Sequence, residues 1–352
     1  HAPRSHWQRI WPYFVAQPDV AEEALARVVG PGEIREGGFL AAMDEEQLGD
    51  LYSWLSKRFP APTDPHVMES HYVTPRETFT DLRNSVLLHL VQRGSPAACD
   101  RLARLVDALP EQRPWLPWRL REARMKARSN AWVPPTVPEV IALFQDGRRR
   151  YVNSEPQLLS VIVASLDRLQ ERLKERPSAL ESLWSYDGGG TRRTNYHPKD
   201  EESLSDYVAD WLKDDLGPSK GVIVNREVQP RRGQKTDVYV SAVVPGSGPK
   251  PADSLTVVIE VKGCWNAALW TAMQTQLVDE YMTANALGHG IYLVGWYLCD
   301  AWSDTDGRKR DTPHDPLDRV QARLRSQVKQ IAEARPHIQI SVVPHVLNLG
   351  LE

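Results

Sequence analysis

The spacing of apolar residues changes once along this chain, near residue 186, and that change limits the possible folds more than any other feature. Before it, apolar residues recur at helical spacing in runs that end at prolines such as Pro60 and Pro110. After it, short apolar runs rich in β-branched residues alternate with helical runs. A chain of 352 residues also exceeds one ordinary hydrophobic core. The sequence therefore predicts two domains, residues 1–185 and 186–352.

The first half contains a series of short amphipathic patterns. Residues 45–59, 80–91, 97–109 and 157–173 each carry apolar side chains three and four positions apart, with proline-rich segments between them. The alternation typical of strands is almost absent. We therefore expect residues 1–185 to form an all-helical, solenoid-like domain with an interaction or regulatory role, although the sequence shows no strict repeat period.

The second half combines helices and strands. The glycine-rich tract Tyr186–Gly190 is typical of a hinge or linker. The order of elements after it predicts an α/β layered unit. In chain order the predicted elements are a helix over 201–216, strands over 222–228, 237–244 and 255–262, a helix over 267–286, a strand over 291–298, a helix over 317–334 and a strand near 338–343.

Charge and cysteine content restrict the class of protein. The formal net charge is −3, so contact with nucleic acid has to come from a local basic surface. Cys99, Cys264 and Cys299 are far apart and odd in number, which argues against disulfides or structural zinc and favours a reducing, cytoplasmic location. No apolar run approaches the roughly 18 residues that span a bilayer. Because the sequence starts at His1, we expect a processed product or a piece of a longer protein.

The run Leu255–Lys262 carries the strongest chemical signal. It is an apolar strand that ends in Glu260-Val261-Lys262, where Glu260 and Lys262 leave the same face because side chains alternate along a strand. A hairpin strand that begins at Asp237 can place its carboxylate beside Glu260. Paired carboxylates bind Mg²⁺ or Mn²⁺, and a lysine can orient water and offset charge at a phosphate. We therefore predict that Asp237, Glu260 and Lys262 are catalytic and that the two acids bind metal.

The alternative is a structural ion pair at the end of a sheet. Ionised groups among buried strands are costly unless they are paired or bind a ligand, and an ion pair would also meet that condition. The sequence pattern favours the chemical interpretation because Glu260-Val261-Lys262 is the single Asp/Glu-x-Lys tripeptide in the chain.

Two further residues are candidates for the site. Glu201 lies within about 50° of the centre of the apolar face of the 201–216 helix, at about 100° per residue, so we predict it as a third metal-binding carboxylate. Its alternative role is a favourable charge at a helix N-terminus. In the 267–286 helix, Gln276 lies on the flank of the apolar face and is a candidate to position water or phosphate, whereas Tyr281 lies on that face and is expected in the core.

Basic residues beside the predicted site suggest a nucleic-acid contact. Four of them lead into the strand that begins at Asp237 and could follow a phosphate backbone. A second group, residues 308–310, is more typical of a solvated loop. The predicted nucleic-acid-binding residues are Arg226, Arg231, Arg232 and Lys235.

Residues 198–298 resemble the PD-(D/E)xK nuclease superfamily, which has a restriction-endonuclease-like fold. The resemblance rests on Pro198-Lys199-Asp200-Glu201-Glu202, Asn225-Arg226-Glu227-Val228, Thr236-Asp237 and Ile259-Glu260-Val261-Lys262-Gly263. It implies a restriction-endonuclease-like αβββαβ domain over 186–352. Within that domain, Asp237 would be the metal-binding aspartate, Glu260 the second acid and Lys262 the catalytic lysine. Glu201 would be the extra glutamate that the first helix commonly supplies.

The chain departs from the family pattern at two points. Thr236 stands where the motif has proline, and the spacing from Gln276 to Tyr281 differs from the Q-x-x-x-Y of RecB-like members. Residues 261–296 are also similar to the C-terminal regions of large bacterial proteins that join helical repeats, sometimes behind a NACHT-type NTPase, to such a nuclease. That similarity implies an effector of antiphage defence.

The expected function is therefore a Mg²⁺- or Mn²⁺-dependent endonuclease that cleaves DNA and is regulated through the helical domain. The expected partners are DNA or RNA, a partner protein or fused regulatory module and a second copy of the chain, with no membrane. The alternative is a catalytically silent module that binds nucleic acid or protein on the same fold.

Overall fold

A computed structural model describes most of the chain and shows two compact units, residues 1–133 and 134–352. The first is helical, and the second is built on a mixed five-stranded sheet. The described residues are 4–29, 38–64, 74–112, 114–131, 136–138, 141, 152–188, 194–217, 222–226, 237–242, 254–336 and 338–351.

The helices of the first unit begin where the sequence supplies capping side chains. The side chains of Asp44 and Thr74 each accept a hydrogen bond from the backbone N–H three residues later. The side chains of Gln47 and Glu77 in turn accept from the backbone N–H groups of Asp44 and Thr74, which completes two capping boxes. Gly94 ends a helix in the left-handed conformation that glycine tolerates best. The helices are α1 (Arg4–Ala16), α2 (Pro18–Val28), α3 (Gly38–Ala41), α4 (Glu45–Arg58), α5 (Pro75–Arg93), α6 (Pro96–Ala108) and α7 (Leu116–Asn130), with 3₁₀ turns at Ala61–Thr63 and Pro110–Gln112.

The predicted boundary at 185/186 needs correction, because the helix over Glu155–Glu175 (α8) belongs to the second unit. Its apolar side chains, including Leu158, Ile162 and Leu166, lie in the same core as the sheet. An amphipathic pattern fixes which face of a helix is buried, but it does not say whether a helix or a sheet covers that face. The unit therefore begins much earlier in the chain than the change of pattern suggested.

The tract predicted to be a hinge is partly strand. β1 (Trp184–Tyr186) pairs antiparallel with β2 (Tyr196–Pro198). Trp184 is buried, and its indole N–H donates to the Leu349 carbonyl oxygen at 2.9 Å. A small two-stranded sheet therefore attaches this tract to the core of the second unit, while residues 189–193 lie outside the described residues.

The main sheet has the strand order β3-β4-β5-β6-β7. β3, β4 and β5 are antiparallel neighbours, whereas β5, β6 and β7 run parallel. All residues of β5 and β6 are buried, so both faces of the central strands are covered, as is typical of parallel strands. The strands are β3 (Val222–Arg226), β4 (Val238–Ala242), β5 (Leu255–Gly263), β6 (His289–Trp296) and β7 (Ser341–Asn348).

Helices pack on this sheet. α8 packs on β5, β6 and β7, and α10 packs on α8, β3 and β5. The segment predicted as one long α-helix over 267–286 instead begins with turns and continues as a π-helix, π1. The remaining helices of this unit are α9 (Pro177–Glu181), α10 (Glu201–Leu216), π1 (Met273–Thr283), α11 (Gly307–Asp311) and α12 (Leu317–Glu333). Across the described residues, no helix combines the length and apolarity needed to cross a membrane.

Candidate active site

The hairpin of β4 and β5 brings Asp237 to Glu260. Val238 is paired with Ile259 in this antiparallel pair. Asp237, one residue before Val238, therefore lies opposite Glu260, one residue after Ile259. The Asp237 side chain bonds to the neighbouring strand, because its Oδ2 accepts a hydrogen bond from the Val261 N–H at 2.8 Å. The strand geometry inferred from the sequence is therefore present at this end of β5.

Glu260 and Lys262 form a buried pair on one face of β5. The Lys262 Nζ donates to Glu260 Oε1 at 2.5 Å. Glu260 is 2% exposed and Lys262 is 8% exposed. Asp237 and Glu201 are only half-buried, so the cluster extends from the sheet interior toward the surface.

Burial and like charge act together on Glu260. Burial raises the pKa of its carboxyl group, the Asp237 charge raises it further, and the opposing attraction of Lys262 leaves it at about 8. Burial lowers the pKa of Lys262, but the charges of Glu260, Glu201 and Asp237 outweigh burial and raise it above its ordinary value. Glu260 is therefore an acid that one lysine does not fully compensate.

Glu201 reaches the same end of β5 from the first turn of α10. Its Oε1 accepts hydrogen bonds from the Gly263 N–H at 2.8 Å and from Asn266 Nδ2 at 2.7 Å. Its charge also contributes to the raised pKa values of Glu260 and Lys262. The structure thus brings together four of the five predicted catalytic residues, Asp237, Glu260, Lys262 and Glu201.

The charge balance of this cluster fits a cation. Among the described residues, three carboxyl groups act on a single ammonium group, and Glu260 Oε2 is buried there with no hydrogen-bond partner. Within the described residues, no three or more His, Cys, Asp or Glu side chains are grouped closely enough to hold a metal ion, so Glu201 does not join the acids in a closed ligand set. Mg²⁺ commonly uses one or two protein carboxylates and takes its other ligands from water and phosphate. Asp237 and Glu260 can supply such a pair.

Gln276 is half-buried and makes no hydrogen bond to the described residues. Tyr281 is buried, as predicted, but it also lies within electrostatic reach of the site. Burial raises the pKa of its phenol, and the charges of Glu260, Glu280 and Asp237 raise it further. In a π-helix the backbone bonds link residues five apart, so Gln276 and Tyr281 share one side of π1 despite their unusual spacing.

The predicted basic surface falls outside the described part of the chain. Arg231, Arg232 and Lys235, together with the Arg226 side chain, lie outside the described residues. Arg308 is placed, and it differs from the solvated loop residue that its sequence suggested. Its guanidinium group lies 5.0 Å from the centre of the Trp265 ring and forms an ion pair with Asp306 at 2.8 Å.

Among the described residues, Asn266 contacts the cluster through its side chain, and the sequence did not indicate this contact. It lies four positions after Lys262 in the turn that follows β5, and its partner Glu201 is 65 residues away. A polar residue beside a tryptophan after a strand gives no specific signal of such a contact.

Comparison with known protein families gave no matching family model. Neither curated proteins nor solved structures gave a significant match.

Proposed function

We propose that the second unit is a divalent-cation-dependent nuclease that hydrolyses phosphodiester bonds in DNA. One observation carries this proposal: Asp237, Glu260 and Lys262 meet at one end of β5, where carboxyl groups outnumber the cation among the described residues. The order α10, β3, β4, β5, π1, β6 is also the order expected for a restriction-endonuclease-like domain. A role in antiphage defence follows only from the resemblance, and the nuclease proposal does not depend on it.

Each residue of the cluster has a distinct proposed role. Asp237 and Glu260 would hold Mg²⁺ or Mn²⁺, and Lys262 would orient the attacking water and offset charge on the phosphate. Glu201 would add negative charge beside the cation. A bound divalent cation supplies Lewis acidity toward the phosphate oxygens and lowers the pKa of a water ligand.

The experiment compares circular double-stranded DNA, single-stranded DNA and RNA as substrates, each with Mg²⁺, Mn²⁺ or EDTA. Wild type is compared with Lys262→Ala, Glu260→Gln and Asp237→Asn. We expect metal-dependent cleavage of DNA by wild type and cleavage at least about 100-fold slower by the variants. Arg104→Gln is the matched control, because Arg104 pairs with Glu46 on the surface of the other unit. Metal-independent cleavage, or no cleavage by folded wild type with any substrate, contradicts the proposal.

A second candidate function is binding of nucleic acid without turnover. The burial of Glu260 and Lys262 favours it, because a phosphate must reach these groups for hydrolysis. This function predicts retention of labelled DNA on a filter with its length unchanged, and the same retention by Glu260→Gln. Metal-dependent shortening of the DNA decides for the nuclease.

A further inference from the structure

The turn after β5 is built around Asn266, and the polar groups of this residue are all engaged. The Asn266 N–H donates to the Gly263 carbonyl oxygen at 3.0 Å, which closes the turn. Its Oδ1 accepts from the Ala268 N–H at 2.8 Å, and its Nδ2 donates to Glu201 Oε1 at 2.7 Å. The side-chain amide is therefore fixed at both ends and links the turn to α10.

These bonds leave the Glu201 carboxylate divided between two environments. Oε1 accepts both the Asn266 amide and the Gly263 N–H, whereas Oε2 makes no hydrogen bond to the described residues. The Glu201 charge raises the pKa of Glu260, so the two carboxylates lie within electrostatic reach of each other. One oxygen is anchored, and the other is available as an acceptor.

Asparagine suits this position for a chemical reason. The side chain has to accept one hydrogen bond and donate another from a short, rigid amide. Aspartate would keep the bond from Ala268 but place a second negative charge against Glu201. Serine is able to accept from the Ala268 N–H in a similar local turn, but it is too short to reach Glu201.

We propose that Asn266 is a positioning residue that orients Glu201 toward the hydrated cation held by Asp237 and Glu260. This inference rests on the cation site of the proposed nuclease. With Oε1 anchored by Asn266, Oε2 would be left to accept a hydrogen bond from water bound to such a cation. Outer-shell partners of this kind commonly change metal affinity by about 10–100-fold.

The test measures Mn²⁺ binding by titration calorimetry, in the full chain and without nucleic acid. The variants are Asn266→Ser, Glu201→Gln and the double variant. Asn153→Ser is the matched control, because Asn153 lies far from the cluster. It is two residues before Glu155, which contacts His289 at the start of β6, whereas the cluster lies beside the end of β5. Thermal unfolding without metal is recorded for each variant.

We expect Asn266→Ser and Glu201→Gln each to weaken Mn²⁺ binding by about 10-fold or more, and Asn153→Ser to leave it unchanged. If Asn266 acts through Glu201, adding Asn266→Ser to Glu201→Gln causes no further loss. Wild-type affinity in Asn266→Ser, or losses that add in the double variant, overturns the inference.

Two other outcomes separate this inference from the nuclease proposal. Mn²⁺ binding that depends on Asn266 in a protein that cleaves no nucleic acid supports the inference and contradicts the nuclease. Wild-type protein that binds no Mn²⁺ overturns the inference, and the cleavage assay then judges the nuclease by itself. Should Asn266→Ser fail to fold, Glu201→Gln still decides, because unchanged Mn²⁺ binding in that variant leaves Asn266 nothing to position.

Discussion

Each of the two units places a carboxyl group beside a buried cation, but the pKa of that carboxyl group is lowered in one unit and raised in the other. In the helical unit, both carboxylate oxygens of Asp64 accept hydrogen bonds from Arg83. Arg76 and Thr80 also donate to this carboxylate. Burial raises the pKa of Asp64, but these donors outweigh burial and lower it. In the sheet unit, Glu260 has one cation, two acidic neighbours and an oxygen without a partner among the described residues, and its pKa is raised.

The difference separates a structural ion pair from a site prepared for a ligand. Each Asp64 oxygen already has a donor, so a metal ion would have to displace existing bonds. At Glu260, burial and the neighbouring acids favour the protonated carboxyl group, and a bound cation would favour the charged form by displacing the proton. The comparison therefore favours the chemical interpretation of Glu260 over that of a plain ion pair.

The largest expected effect is on cleavage. Lys262→Ala should reduce the rate by about 10²–10⁴-fold, the usual contribution of a positioned proton-transfer or charge-stabilising group. Its effect on folding should be small, because the raised pKa of Glu260 allows that group to be neutral near pH 7 once the lysine is gone. Cleavage rates and urea unfolding of the same samples check both parts. A variant that cleaves normally but unfolds easily would make Lys262 a structural partner like Arg83.

The converse is expected at Arg83, which is 5% exposed. Arg83→Ala should lower the free energy of unfolding by about 2–3 kcal/mol, because it removes the main cation from the half-buried carboxylate of Asp64, which keeps Arg76. The cleavage rate of the remaining folded protein should be unchanged. Urea unfolding measures the loss, and Arg58→Ala, which removes exposed ion pairs to Asp19 and Glu22, is a control expected to cost less.

The titration of Glu260 should make the free energy of unfolding depend on pH. Its pKa is about 8 in the folded protein and 4.5 when exposed, so between these values the folded state keeps a proton that the unfolded state has lost. The free energy of unfolding of metal-free protein should therefore fall as the pH rises from 5 to 8. The expected fall is on the order of 2–4 kcal/mol, at about 1.4 kcal/mol for each pKa unit.

Thermal unfolding in EDTA at several pH values checks this dependence. Glu260→Gln removes the group, so the difference between wild type and this variant isolates its contribution from that of other titrating residues. If both proteins lose the same stability between pH 5 and pH 8, the pKa of Glu260 is not raised and the contrast with Asp64 disappears.

The smallest effect concerns local structure in the helical unit. Asp44→Ala removes one half of the capping box of α4 and should lower the free energy of unfolding by about 1 kcal/mol. Cleavage should be unaffected. Urea unfolding measures the change, and Asp44→Asn, which retains a good capping side chain, should recover most of it.

Local features of the fold and site were predictable from the sequence. The Glu201–Leu216 helix follows from its apolar spacing, and the contact between Glu260 and Lys262 follows from alternation along a strand. Long-range partners were not predictable. The pattern of α8 does not reveal that a sheet covers it, and nothing near Asn266 points to Glu201.

The π-helix also escaped prediction. Apolar residues of this segment are spaced at four and five positions, as in Met273, Leu277 and Met282, and that spacing overlaps with the α-helical pattern over a short run. The winding decides which side chains share a face, so the relation between Gln276 and Tyr281 emerged only from the structure.

The hydrogen bond from the Val261 N–H to Asp237 affects the choice of an inactive variant. The Asp237 side chain links two strands as well as contributing charge. Asp237→Ala would therefore remove a hydrogen-bond partner of the backbone together with the carboxylate, and loss of activity would not distinguish lost chemistry from lost structure. Asparagine retains an oxygen for that N–H while removing the negative charge. It is the substitution that separates loss of chemistry from loss of structure.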